Sequence, residues 1–309
     1  MSIYSASYNF PQGFLWGIVT PDSFYSEKTN NVTLFSLKEK GIKAIFLTLK
    51  WAEFEPLKNN YEESLIDDVR TLLSRTRRQN IEPLIMLDMA AVPQWQNLEH
   101  EPHKDFFSAE KFNFATHIAN ALLPYSNYFG MYISENALFP GKGFSSDLEI
   151  HNSVRNYILS ISESAKVGTI LAPQSFQKKG AGLRGLFQSW SANPLKNSEM
   201  DFFGISADEI SFEGIQNIMK ETRKPLFIFK EDIAKIPPAV RADALADKIY
   251  DSWHFYQKGW PLLGFFAALD PNEDSRAMVL FTETSNKNAF EISTENENLP
   301  EKWIRLLKD

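Results

Sequence analysis

Residues 223–234 read Arg223, Lys224, Pro225, Leu226, Phe227, Ile228, Phe229, Lys230, Glu231, Asp232, Ile233 and Ala234. Pro225 opens the run, four apolar residues follow, and three charged residues close it. A short, wholly apolar segment bounded in this way is the signature of a strand covered on both faces, as in a parallel sheet. In parallel α/β folds the C-terminal ends of the strands carry the ligand site, so the charged triplet marks a candidate site. Successive strand residues face opposite sides, so Lys230 and Glu231 cannot both point into such a site while the strand stays regular.

Working outward from this strand, the same unit recurs. Apolar strands are expected at 10–20, 42–49, 81–88, 128–134, 167–171, 201–205 and 262–269. Amphipathic helices are expected between them, at 33–40, 62–78, 108–123, 146–165, 183–190, 212–222 and 239–258. In the second of these, Leu65, Ile66, Val69, Leu72 and Leu73 share one face. Ser108 is a suitable N-cap for the third, and Gly41 a suitable C-cap for the first. Eight strands alternating with helices predict an α/β fold of the (β/α)8 TIM barrel type, a single domain over 1–309. The tail adds a candidate hairpin at 278–282 and 289–292 and a helix from Glu301.

Composition narrows the function classes. The net charge of -7 and a pI near 5.4 argue against broad nucleic-acid binding, which needs a dense cationic face. The one basic cluster, Arg75, Arg77 and Arg78, ends a helix, where cations suit the negative helix terminus. The absence of cysteine excludes disulfides and thiolate metal sites. With no leader and no apolar run long enough to span a bilayer, a cytoplasmic protein without membrane association is expected. The 25 Phe, 10 Tyr and 7 Trp fit either a barrel packed inside helices or a carbohydrate-binding groove.

Specific motifs point further. Residues 10–20 read Phe-Pro-Gln-Gly-Phe-Leu-Trp-Gly-Ile-Val-Thr, and Lys50 to Pro56 read Lys-Trp-Ala-Glu-Phe-Glu-Pro. Together with Pro93 and Trp95 and the strand at 226–229, these resemble, in order and over nearly the whole chain, glycoside hydrolase family 1, the retaining β-glycosidases. That family opens with Phe-Pro, a spacer and Phe-x-Trp-Gly-x-Ala-Thr, from which only Val19 departs here. The resemblance implies a (β/α)8 barrel and, because family members are longer, a shortened member lacking long βα loops.

The resemblance also assigns site positions. Retaining glycosidases set two carboxyl groups about 5–5.5 Å apart, one the nucleophile and one the acid/base. The family's nucleophilic Glu falls on Lys230, and its acid/base Glu falls on Asn136, with Glu135 at the preceding Asn. Both catalytic positions therefore read as degenerate. A one-residue slip in each strand would instead bring in Glu135 and Glu231 as acid/base and nucleophile.

The sugar-contacting motifs have changed as well. Tyr25 stands at the family's Gln, Met89 at its His, Ser206-Ala207-Asp208 at its Asn-Tyr-Tyr, and the family's sugar-stacking Trp residues are missing from the segment 264–273. The Arg that supports the nucleophile has become Glu53. With Lys230 opposite, this suggests an inverted ion pair, since an unpartnered buried charge is costly.

The expectation is a catalytically inactive glycosidase-like barrel that binds a glycan or a protein partner at the C-terminal face of the barrel, where Tyr25, Trp51, Glu53, Met89, Glu135, Asn136 and Lys230 line the mouth. The alternative is an active retaining β-glycosidase using Glu135 and Glu231. A Lys230 amine nucleophile would need a lowered pKa, which Glu53 opposes. No cofactor or metal is expected. His100 and His103 lie in a polar loop, Gly141-Lys142-Gly143 and residues 179–182 match no phosphate-loop pattern, and Glu209, Glu213 and Glu221 read as a solvated face.

Overall fold

The computed structural model describes residues 15–20, 34–35, 37–39, 42–99, 108–133, 144–171, 198–206, 224–230, 236–237, 240 and 262–267. Eight parallel strands close into a barrel in sequence order: β1 (Leu15–Val19), β2 (Ala44–Lys50), β3 (Glu82–Asp88), β4 (Tyr128–Ile133), β5 (Lys166–Leu171), β6 (Phe202–Ser206), β7 (Leu226–Lys230) and β8 (Leu262–Ala267). β8 pairs with β1, Leu15 standing opposite Gly264, which completes the predicted (β/α)8 fold and leaves no sheet edge. The apolar run that follows Pro225 forms β7, paired with β6 and β8.

Five helices are described: α1 (Trp51–Phe54), α2 (Glu63–Arg78), α3 (Gln94–Glu99), α4 (Ser108–Leu122) and α5 (Phe144–Ile161). α2, α4 and α5 match the expected helices to within a few residues. α1 and α3 fall where the sequence suggested only strand ends and loop, because helices this short carry too little periodicity to show. Asn80, with φ of 58°, turns the chain back after α2. The basic cluster serves that helix end, where Arg77 donates from Nη1 to the Pro124 carbonyl at 2.9 Å. The helices expected at 183–190 and 212–222, the hairpin and the terminal helix lie outside the described residues, as does the helix expected at 239–258 apart from Val240; of the helix expected at 33–40, residues 34–35 and 37–39 are described and helical.

The alternation of each strand divides the side chains into two cores. The outer core lies between strands and helices, with Ile45, Leu47 and Leu49 of β2 packed among Ile66, Val69 and Leu73 of α2. The inner core fills the barrel with Phe46, Phe202, Phe227, Phe229 and Phe266, joined by Leu15, Leu84, Met86, Tyr128 and Ile170. The rings form a continuous chain: Phe202 to Phe227 at 5.1 Å, Phe227 to Phe266 at 5.7 Å, Phe266 to Phe229 at 5.5 Å and Phe229 to Phe46 at 4.3 Å between centroids.

So many rings fit only because their neighbours are small. A Cβ on Gly17 would overlap Phe266, one on Gly168 would overlap Phe202, and one on Gly204 would meet Ile170 and Phe229. The barrel is thus a packed aromatic core and not a channel.

Candidate functional site

The inner faces of the strands can be followed upward to the mouth. On β2, Ala44 and Phe46 face inward, so Thr48 and Lys50 continue that face; on β3, Leu84 and Met86 lead to Asp88; on β4, Tyr128 leads to Tyr132. Thr48, Lys50, Asp88 and Tyr132, all half-buried, are the described polar side chains of the mouth. Lys50 and Asp88 are neighbours in register. Asp88 Oδ1 accepts hydrogen bonds from the backbone N–H groups of Ala90 (3.1 Å) and Ala91 (3.2 Å), which fixes its carboxylate while turning the chain. Sequence reasoning missed Lys50, Asp88 and Tyr132. The signal was there in the two-residue period from Phe46, Met86 and Tyr128, but the family pattern drew attention to the residues beside them.

Two residues expected to line the mouth lie elsewhere. Met89 follows the inward-facing Asp88, so alternation sends it outward, and it is buried in the outer core. Trp51 begins α1 and is wholly buried, with Trp95 edge-on at 5.9 Å and Phe114 stacked at 5.8 Å. Its Nε1–H donates to Glu55 Oε2 at 2.7 Å. Glu55 in turn accepts the Asn59 N–H at Oε1 (2.8 Å), and its backbone carbonyl accepts the Trp95 Nε1–H (2.9 Å). Trp51 is therefore a structural residue holding the loop behind the mouth.

Glu53 sits on α1 with its side chain 42% exposed, and its carboxylate lies 3.6 Å from Lys50 Nζ. The described partner of Glu53 is this lysine three residues earlier. Lys230 is described by its backbone alone, which stands in register with Ala267, a residue of the outer core. Tyr25, Glu135, Asn136 and Glu231 lie outside the described residues, as do His100, His103, both glycine-rich turns and the glutamates at 209, 213 and 221. Among the described residues no group of three His, Asp or Glu side chains could hold a metal ion. No helix among them is long and apolar enough to cross a membrane.

Beside the mouth, the turn after α1 is fastened to α4. Lys58 Nζ lies 5.7 Å from the Trp95 ring centroid and 4.0 Å from Glu110 Oε1. Tyr61 stacks on His117 at 3.6 Å, and burial followed by the nearby Glu55 carboxylate pushes its phenol up to about 12.

The opposite end of the barrel carries its own charges. Burial raises the Glu82 carboxyl above its usual range against the pull of Arg77, and burial with the Glu82 charge raises Tyr128. Arg155 of α5 grips Asp201 with Nε (3.3 Å) and Nη2 (2.9 Å), while Asp201 Oδ2 also accepts the Val167 N–H at 2.9 Å. Burial lowers the nearby Lys224 ammonium, with Arg155 adding to the effect and Asp201 and Glu199 opposing it.

No family model and no curated protein matches the chain. Solved structures do. The β-glycosidase BGL167 superposes with a TM-score of 0.65 at 13% identity, over 89% of this chain and 97% of that one. The AHE enzyme from Alicyclobacillus herbarius gives 0.62 at 16% identity, over 84% and 88%. A family 1 β-glucosidase from Thermotoga maritima gives 0.59 at 15% identity, over 84% and 88%. At these identities the likeness establishes a glycosidase-like barrel fold and nothing finer. It also corrects one expectation: with 97% of BGL167 spanned, the chain is not markedly shortened relative to that structure.

Proposed function

We propose that the chain is a glycosidase-like barrel that binds a glycan or a protein partner at the C-terminal mouth of its strands without hydrolysing ordinary glycosides. The observation that carries this reading is the barrel itself, closed, filled by an aromatic core and bearing Lys50, Asp88 and Tyr132 on the inner faces of its second, third and fourth strands. By the resemblance in sequence, the acid/base glutamate of the retaining glycosidases falls on Asn136 and their nucleophile on Lys230. An amide at the acid/base position donates no proton to a departing sugar oxygen, so the two-carboxylate chemistry of retaining glycosidases is incomplete.

The second reading is an active retaining β-glycosidase using Glu135 as acid/base and Glu231 as nucleophile, each reached by a one-residue slip relative to the family pattern.

Hydrolysis of a panel of aryl β-glycosides separates the two. The binding reading predicts no turnover of any aryl β-glycoside of the panel by the purified chain. Turnover abolished equally by Glu135→Gln and Glu231→Gln would overturn it and establish the shifted pair.

A further inference from the structure

We infer that Tyr61, His117 and Glu63 form a proton-sensitive clasp that holds the turn between α1 and α2 against α4, more firmly in mild acid than above neutrality. The His117 ring lies on the Tyr61 ring at 3.6 Å between centroids and 8° from parallel. Its Nε2 stands 3.4 Å from Glu63 Oε1. The turn, α4 and the first residue of α2 therefore meet at one imidazole. Solvent reaches it, since the histidine side chain is 36% exposed and the glutamate 61%.

A neutral imidazole brings this contact only a stacking surface and an uncharged polar edge. An imidazolium adds a positive charge over the phenol face and an ion pair with the carboxylate. Histidine is the side chain whose charge changes between about pH 5 and 8. Both gains belong to the protonated ring, so the extra hold is full in mild acid and fades as pH rises through that window.

The groups around the clasp have other engagements and other titration ranges. On α4, Glu110 pairs with Lys58 of the turn at 4.0 Å. On α2, Asp67 pairs with Arg70 at 2.6 Å, and at its start Glu62 accepts the Ser64 hydroxyl. Glu55 accepts the Asn59 N–H inside the turn, and Tyr157 of α5 accepts from the Asn120 amide. All are of types whose ordinary titration lies outside the histidine window. The other described histidine, His151, is buried against Thr169 of β5. The clasped turn is closed by the Glu62 N–H on the Phe54 carbonyl and the Asn60 N–H on the Leu57 carbonyl, each at 2.9 Å. It follows directly on α1, so the clasp sets how firmly the β2 side of the rim is held.

Amide hydrogen exchange of the full chain at about pH 5.5 and about pH 8, each corrected for the intrinsic rate, tests this at residues 59–62, with the β3 amides as the reference for global stability. Protection of the turn relative to β3 should be about threefold higher in acid, the scale of an exposed charged contact. His117→Phe keeps a ring on Tyr61 without the proton, and His117→Gln removes ring and proton together; in both the acid gain should vanish. Glu110→Gln breaks the other charged fastening of the turn and should leave the gain in place. Circular dichroism checks that each variant folds. No acid gain in the unmodified chain, or an undiminished gain in either folded His117 variant, overturns the clasp. A gain abolished by Glu110→Gln overturns it as well and assigns the pH dependence to the Lys58 contact.

Discussion

Gly168 makes room for Phe202. The two residues stand side by side in register on β5 and β6, and a methyl group added to the glycine would overlap three carbons of the ring. Gly168→Ala should therefore lower stability by about 1–3 kcal/mol through overpacking. Gly130→Ala should lose less, since its methyl group would meet only the flexible end of Ile170 at 3.1 Å. Urea midpoints of the two variants give the comparison, and equal losses would show that the inner core yields more easily than its geometry implies.

Glu55 should be among the least replaceable carboxylates. It is 3% exposed and accepts both the Trp51 indole N–H and the Asn59 backbone N–H. Glu55→Ala leaves the buried Trp51 indole N–H unpaired and frees the more accessible Asn59 N–H to water, and the expected loss is about 2 kcal/mol. Glu55→Gln keeps one acceptor but turns an NH2 group toward the other donor, so it should rescue only part of that loss. Full rescue by Gln, read from thermal or urea unfolding, would mean that the loop rearranges.

Glu82 gives the protein a pH dependence whose sign is fixed. Its folded carboxyl is raised by burial, so the native state holds a proton that the unfolded chain has released. Stability from this group is then present below the unfolded carboxyl range and is lost as pH rises through the folded value. Glu82→Gln should remove that decline and raise stability at neutral pH. Parallel stability–pH curves for variant and parent would contradict the assignment.

Arg155→Lys keeps a positive charge but loses the two-pronged grip on Asp201. The pair is largely buried, with side-chain exposures of 18% and 19%. A loss of about 1–2 kcal/mol is expected, because Lys cannot reproduce the planar fork. The measured quantity is the unfolding free energy at two salt concentrations, and a loss that vanished at high salt would reduce the pair to long-range charge attraction.

Gln96 offers the opposite case. Its side chain is 1% exposed, and neither amide atom has a hydrogen-bond partner among the described residues. Gln96→Met, similar in length and without the unmet polar groups, should be neutral or should stabilise by about 1 kcal/mol. Marked destabilisation would reveal a partner for the amide in solution.

The barrel was legible in the sequence because its strands are covered on both faces. Runs such as 226–229 and 84–87 are apolar at every position, so existence and order could be read without knowing which face was which. That same property hid the site. When both faces are apolar, the sequence carries no phase, and phase decides whether Lys230 or Glu231 points inward. The family pattern drew attention to Met89 in place of Asp88 and to Trp51 in place of Lys50, one residue from the mouth in each case. Only the packing of Phe46, Met86 and Tyr128 against one another identified the inner side.

The interlock of rings and glycines has a consequence for how such a protein can change over evolutionary time. Because the lumen is filled below the rim by Phe46, Phe202, Phe227, Phe229 and Phe266, the packing that holds the cylinder closed lies mainly beneath the rim. Selection on folding and selection on chemistry therefore act on separate sets of positions. Residues at the rim can drift, lose an ancestral activity and acquire another, while the cylinder beneath registers none of it.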